Sequence, residues 1–126
     1  MRLLVDTQAF LWWVSDDVRL TRAARRAVEN GQCFLSIASC WEMAIKVSLK
    51  KLILPHPIER FLHQQLEENE FTLLAVSLEH VSAVASLPFL HRDPFDRLLV
   101  AQAAAENLHI VSSDEQFDAY DVKRIW

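Results

Sequence analysis

The sequence predicts an α/β protein, a three-layer sandwich in which a mainly parallel sheet of four or five strands is flanked by helices. Two observations carry this prediction. Short apolar runs recur between longer segments of helical periodicity, the alternation that builds parallel sheets through right-handed crossovers. Two of those runs end in hydroxyls and acids, Asp6-Thr7 after Leu3-Leu4-Val5 and Ser112-Ser113-Asp114 after Leu108–Val111, as expected at the carboxyl ends of buried strands. With 126 residues, 52% of them hydrophobic and 24% charged, the chain suffices for one compact domain, 1–126, with an ample core.

In chain order, Arg2-Leu3-Leu4-Val5 reads as the first strand, and the following short helix, with Phe10, Trp13 and Val14 on one face and Leu11 and Trp12 elsewhere, is apolar on more than one side. Thr21 caps a helix that runs through Asn30 and stops at Gly31, with Arg22, Arg25 and Arg26 outward. Cys33–Ala38 reads as a second strand. Ser39 then caps a helix carrying Trp41, Met43, Ile45 and Val47, which places Glu42 in its first turn and Lys46 four residues beyond, the spacing of a surface ion pair. Pro55 and Pro57 interrupt, and a helix resumes from Ile58 to Asn69 with an amphipathic stripe through Phe61, Leu62 and Leu66. Phe71–Val76 is a third strand, and Leu78 to Leu87 a helix that Pro88 terminates. Pro94 suits a first helical position, so Asp93 reads as an N-cap and Asp96 as a first-turn acid of a helix reaching Glu106-Asn107, apolar nearly all round and therefore buried. Leu108–Val111 is a fourth strand and Val122–Trp126 a short fifth at the edge.

Composition excludes several chemistries. The single glycine, Gly31, rules out a Walker A loop, a dinucleotide fingerprint and a GxSxG elbow. Cys33 and Cys40, seven apart, match neither a redox pair nor a zinc ribbon and read as reduced thiols. His56, His63, His80, His91 and His109 show no ligand spacing and read as structural or solvated. No run approaches the roughly 20 apolar residues of a membrane span, and Asp6 comes too early for a secretory signal, so a soluble, cytoplasmic protein with no membrane partner is expected.

The acids are the candidates for function. Taken alone, Asp93 and Asp96 read equally well as helix-end residues and as functional groups. In the predicted sandwich, however, Asp6 and Asp114 end strands, while Glu42, Asp93 and Asp96 head helices, so all five fall on the same side of the sheet. Two carboxylates about 5 Å apart repel by roughly 3 kcal/mol at an effective dielectric of about 20. A hard divalent ion such as Mg²⁺ or Mn²⁺ is what carboxylate oxygens select to relieve this, and phosphodiester hydrolysis is the reaction class such a centre serves.

The chain resembles PIN-domain proteins, most nearly the VapC-type toxins of toxin-antitoxin pairs, along essentially its whole length. The resemblance rests on Leu3-Leu4-Val5-Asp6-Thr7, on the block from Ser36 to Lys46, on His91-Arg92-Asp93-Pro94-Phe95-Asp96-Arg97 continuing to Ala103, and on Ser112-Ser113-Asp114. It implies that Asp6, Glu42, Asp96 and Asp114 are the catalytic and metal-binding acids, with Asp93 an added acid nearby and Thr7 and Ser112 auxiliary hydroxyls that orient the site. It implies one or two Mg²⁺ or Mn²⁺ ions, cleavage of single-stranded or loop RNA, a homodimer, and a cognate antitoxin whose C-terminal segment covers the site. No role falls on Gln8. The Phe10–Val14 helix and the Phe61–Leu66 stripe suit such interfaces, and core packing explains them equally.

A net charge of −4 is unusual for an RNA binder; one divalent ion brings it to −2 and two to 0, and Arg22, Arg25, Arg26, Lys46, Lys50 and Lys51 would then supply a local basic rim. Two rival readings remain. A phosphatase pattern needs a second Asp where this chain has Gln8, and a receiver domain needs an acid pair and a lysine site that are not found. A catalytically silent module that binds RNA or protein is the other, opposed by the complete set of four acids.

Overall fold

The computed structural model describes residues 1–126. Five strands, β1 (Arg2–Val5), β2 (Gln32–Ser36), β3 (Thr72–Leu74), β4 (His109–Val111) and β5 (Arg124–Ile125), form one sheet in the order β3-β2-β1-β4-β5. Every neighbouring pair is parallel, with Leu3 opposite Cys33 on one side and His109 on the other. Six helices surround the sheet: α1 (Thr7–Val14), α2 (Arg22–Asn30), α3 (Ile37–Ser48), α4 (Ile58–Glu68), α5 (Leu78–Ser86) and α6 (Pro94–Glu106), with a 3₁₀ turn over Glu115–Ala119.

The side-chain alternation of β1 shows how the layers arise. Leu3 and Val5 join one core with Phe10, Leu35, Met43 and Phe61, while Leu4 joins another with Phe34, Leu99, Val100, Ile110 and Phe117. Helices therefore cover both faces, and the central strands are apolar throughout because neither face meets water. Phe61 and Phe10 belong to the first core, Phe10 meeting Phe71 edge-on at 5.4 Å, and Phe61 also lines a groove beside Leu11 and Trp12. Trp12 instead packs against Trp126.

Strand order reverses at β1. The chain winds outward through β2 and β3, then returns to place β4 and β5 on the other flank, and a crevice opens beyond the carboxyl ends of β1 and β4. The residues that follow those ends are Asp6 and Ser112-Ser113-Asp114.

Two local readings require correction. Ser39 is not a cap: β2 ends at Ser36, whose hydroxyl accepts the Ala38 N–H at 3.0 Å, so α3 starts three residues earlier and Glu42 lies in its second turn. Ser39 is buried inside the helix. The third strand is shorter than its apolar run, since Phe71 turns into the first core and pairing ends at Leu74. Gly31 ends α2 as expected, yet not through a left-handed turn, its φ being −96°. A Cβ there would lie 2.7 Å from Leu3 Cδ1 and 2.8 Å from the Ala27 carbonyl oxygen, so close approach is what excludes other residues. The left-handed positions are taken by Asp16, Lys50, Glu70 and Asn107, each just past a helix end.

Candidate functional site

Three aspartates reach the crevice as helix caps. Asp6 Oδ1 accepts the Ala9 N–H at 2.8 Å, Asp93 Oδ1 accepts those of Phe95 and Asp96 at 2.8 and 3.3 Å, and Asp114 Oδ1 accepts that of Gln116 at 2.9 Å. In each carboxylate Oδ2 lies outside the cap. Capping and a role in the pocket, which the sequence presented as alternatives, are thus divided between the two oxygens of one side chain. The positive ends of α1, α6 and the 3₁₀ turn face the same space and offset part of the repulsion between the acids.

A small pocket of about 160 Å³ is lined by polar residues alone. Asp6, Glu42, Asp93, Asp96 and Asp114 all contribute, together with Thr7, Gln8, Lys46 and Ser113. The five predicted acids are therefore gathered in one place, and Thr7 lies beside Asp6 as expected. Ser112 does not line the pocket; it is fully buried, its Oγ accepts the Asp114 N–H at 3.0 Å, and its hydroxyl favours the ionised form of Asp6. Gln8 does line it, although the sequence gave it no role.

Burial dominates the electrostatics. The Asp6 carboxyl, 8% exposed, is pushed up to about 6, first by burial and then by the charges of Glu42 and Asp114, against the hydrogen bonds from Ser112 and Ala9 that favour the ionised form. Asp96 is raised well above the usual carboxylate range by burial and by Asp93 beside it, with His91 opposing. Lys46, whose Nζ is 3.7 Å from Glu42 Oε2, is the one cation among the lining residues. Five acids against one ammonium, offering oxygen donors, fit a hard divalent cation.

The basic rim differs from the one expected. Lys46, Lys51 and the unexpected Arg92 border the crevice, whereas Arg26 sits with Met1 at the opposite end of β1 and Arg25 is held by Asp16 and Trp13.

His91 was missed. It is buried, with Nε2 3.0 Å from Asp96 Oδ2 and 3.3 Å from Asp114 Oδ2, and these three polar atoms lie within 4.8 Å of one another. Nothing in its spacing marks it, because it belongs to the irregular link between α5 and α6. That link is fixed from a distance: the buried guanidinium of Arg97 donates to the carbonyls of Pro88 and Val84 and to the Tyr120 hydroxyl, which also accepts the Leu90 N–H.

A PIN-domain family model matches residues 3–123. The chain belongs to the PIN-domain family. Among characterised PIN proteins, it is 29% identical over 119 residues to ribonuclease VapC22 of Mycobacterium tuberculosis, covering 94% of this chain and 91% of that one. The fold is shared with VapBC2 of Rickettsia felis, solved bound to a promoter DNA fragment, at a TM-score of 0.73 and 14% identity, over 98% of this chain and 97% of that one. FitAcB of Neisseria gonorrhoeae aligns with a TM-score of 0.63 and 20% identity, over 97% and 95%. The parallel five-stranded sheet flanked by six helices is a PIN-like fold.

Proposed function

We propose that this PIN domain is a metal-dependent endoribonuclease of the VapC type, the toxin of a toxin-antitoxin pair, acting on single-stranded or loop RNA. The observation that carries the reading is the convergence of Asp6, Glu42, Asp96 and Asp114, with Asp93 beside them, in one polar pocket at the point where strand order reverses. A relative that covers nearly the whole chain and is a ribonuclease supports it. Asp6, Glu42, Asp96 and Asp114 would hold one or two Mg²⁺ or Mn²⁺ ions. When bound, such an ion polarises a phosphoryl oxygen and lowers the pKa of a coordinated water.

The remaining parts belong to the protein. Burial keeps the Asp6 carboxylate poorly solvated and the caps hold three aspartates rigidly, so the acids need little reorganisation when charge develops on the substrate. Lys46 places an ammonium at the junction of the acid pocket and two neighbouring grooves, where it meets a substrate phosphate. Few cations border the site, so non-specific affinity for RNA should be low and salt dependence shallow.

An antitoxin fits the adjoining groove of about 650 Å³, lined by Leu11, Trp12, Ile53 and Pro55 together with Arg19 and Lys51, which shares Gln8 and Lys46 with the acid pocket. A segment seated there would extend over the acids. For the homodimer, α3 leaves Ile37 and Trp41 exposed one turn apart, with exposed Leu49 at its C-cap two turns further on, an apolar stripe that a second copy would cover.

The test is cleavage of single-stranded and structured RNAs by purified protein with Mn²⁺, Mg²⁺ or EDTA, beside Asp6→Asn and Asp96→Asn. Metal-dependent cutting that both variants lose is the expected result. RNA intact in every metal condition, or variants that cut equally well, would leave a binding module in place of an enzyme.

A further inference from the structure

We propose that His91 is a positioning residue of the acid pocket, a fixed Nε2–H donor that orients Asp96 and Asp114 and does not itself ligate the cation. The inference rests on the metal-nuclease reading, but its first observable does not require that reading.

The backbone decides where the proton lies. The Asp93 N–H donates to His91 Nδ1 at 3.1 Å, and an amide N–H can only donate, so Nδ1 must present its lone pair. The proton of the neutral ring is then on Nε2, and both neighbours of Nε2 are carboxylate oxygens, acceptors at 3.0 and 3.3 Å. For Nε2 to ligate a cation, the proton would have to move to Nδ1, where it would face the Asp93 N–H donor against donor. His91 Nε2, Asp96 Oδ2 and Asp114 Oδ2 are close enough to resemble a three-ligand cluster, but the histidine enters it with the wrong tautomer.

The ring is also held rigidly. It is buried, lies 6.4 Å from the Phe117 ring, and ends a link pinned by Arg97 and Tyr120. Asp93 therefore acts twice, its side chain capping α6 and its backbone N–H setting the histidine that aims Asp96, three residues on. With Nε2–H bonded to Asp114 Oδ2 at 3.3 Å and Asp96 Oδ2 held against the same nitrogen at 3.0 Å, both carboxylates are oriented before any cation arrives, and the other oxygen of Asp96 remains for it. Supporting hydrogen bonds of this kind commonly change metal affinity by about 10- to 100-fold when removed.

The experiment combines ¹⁵N-resolved NMR of the His91 ring with Mg²⁺ titration by calorimetry, on the wild type, His91→Ala and His91→Gln. Glutamine is chosen because its side-chain amide offers an N–H donor at similar reach. We expect Nε2 protonated in the metal-free protein and still protonated at saturating Mg²⁺. His91→Ala should weaken Mg²⁺ binding by roughly 10-fold or more, and His91→Gln should recover most of that loss even where its melting temperature does not recover, a split that a purely structural role would not give. Loss of the Nε2 proton on Mg²⁺ addition would make His91 a ligand and overturn the proposal, as would His91→Ala binding Mg²⁺ like the wild type. A wild type that binds no Mg²⁺ while Nε2 stays protonated would remove the metal reading and, with it, the role given to His91.

Discussion

Replacing Asp6 by Asn should stabilise the metal-free protein while removing its function. Burial pushes the Asp6 carboxyl up to about 6 from the ordinary aspartate value of 3.8, and a tenfold change in proton affinity corresponds to about 1.36 kcal/mol. Keeping this carboxylate ionised in the fold therefore costs up to about 3 kcal/mol. The sign follows from the raised value. Below about pH 3 both states are protonated and the cost is absent; it grows as the unfolded chain ionises ahead of the folded one, and is complete above about pH 6. Asparagine retains an oxygen to accept the Ala9 N–H, so the cap of α1 survives. In EDTA at pH 8, urea unfolding should show Asp6→Asn more stable than the wild type by about 1–3 kcal/mol, the range allowing for relaxation around a buried charge. At about pH 3 the two should coincide. A variant no more stable at pH 8, or one whose gain is the same at both pH values, would refute the argument that Asp6 is held ionised against its burial.

Further predictions follow from the same geometry. Because protons compete with a cation for Asp6, the rise in melting temperature caused by Mg²⁺ should be large at pH 8 and shrink below about pH 6; equal shifts at pH 5 and 8 would contradict it. Asp93→Asn keeps the cap of α6 and should leave stability nearly unchanged, whereas Asp93→Ala should cost about 1 kcal/mol by thermal unfolding. Comparing their Mg²⁺ affinities with the wild type then reads the contribution of the Asp93 charge separately from its cap. Gly31→Ala should destabilise by about 1–3 kcal/mol, since the added methyl meets a backbone oxygen at 2.8 Å that cannot move aside; a denaturation midpoint like that of the wild type would show that α2 can shift.

The fold was legible because its strands are short apolar runs and its helices periodic, and the cap at Asp93 was legible because Pro94 admits few other readings. The start of α3 was not. Ser36-Ile37-Ala38-Ser39 offers two caps in an unbroken apolar context, and the choice of Ser36 depends on a bond across the molecule, from its hydroxyl to Gln102 Oε1 at 2.6 Å. Asp6, Asp93, Asp96 and Asp114 could be assigned to one side of the sheet because each sits at or near the end of an element; Glu42, midway along α3, reaches the same pocket although the start of its helix was misplaced. His91 could not be placed, because its position depends on Arg97 and Tyr120, contacts that no local pattern encodes. Phe61, equally readable as interface or core, is buried in the first core and also lines the groove beside α1, so neither reading displaces the other.

At the exits of four helices the backbone turns left-handed at Asp16, Lys50, Glu70 and Asn107, with φ between 52° and 59°, where a side chain is strained and glycine is not. Asparagine tolerates this best. Lysine and glutamate do so least, so Lys50 and Glu70 are places where the fold could be made sturdier without touching an acid of the pocket. For anyone seeking to crystallise or engineer this nuclease candidate, that distinction is practical: thermal resistance can be raised at the helix exits, while the same gain obtained at Asp6 would come at the expense of the site.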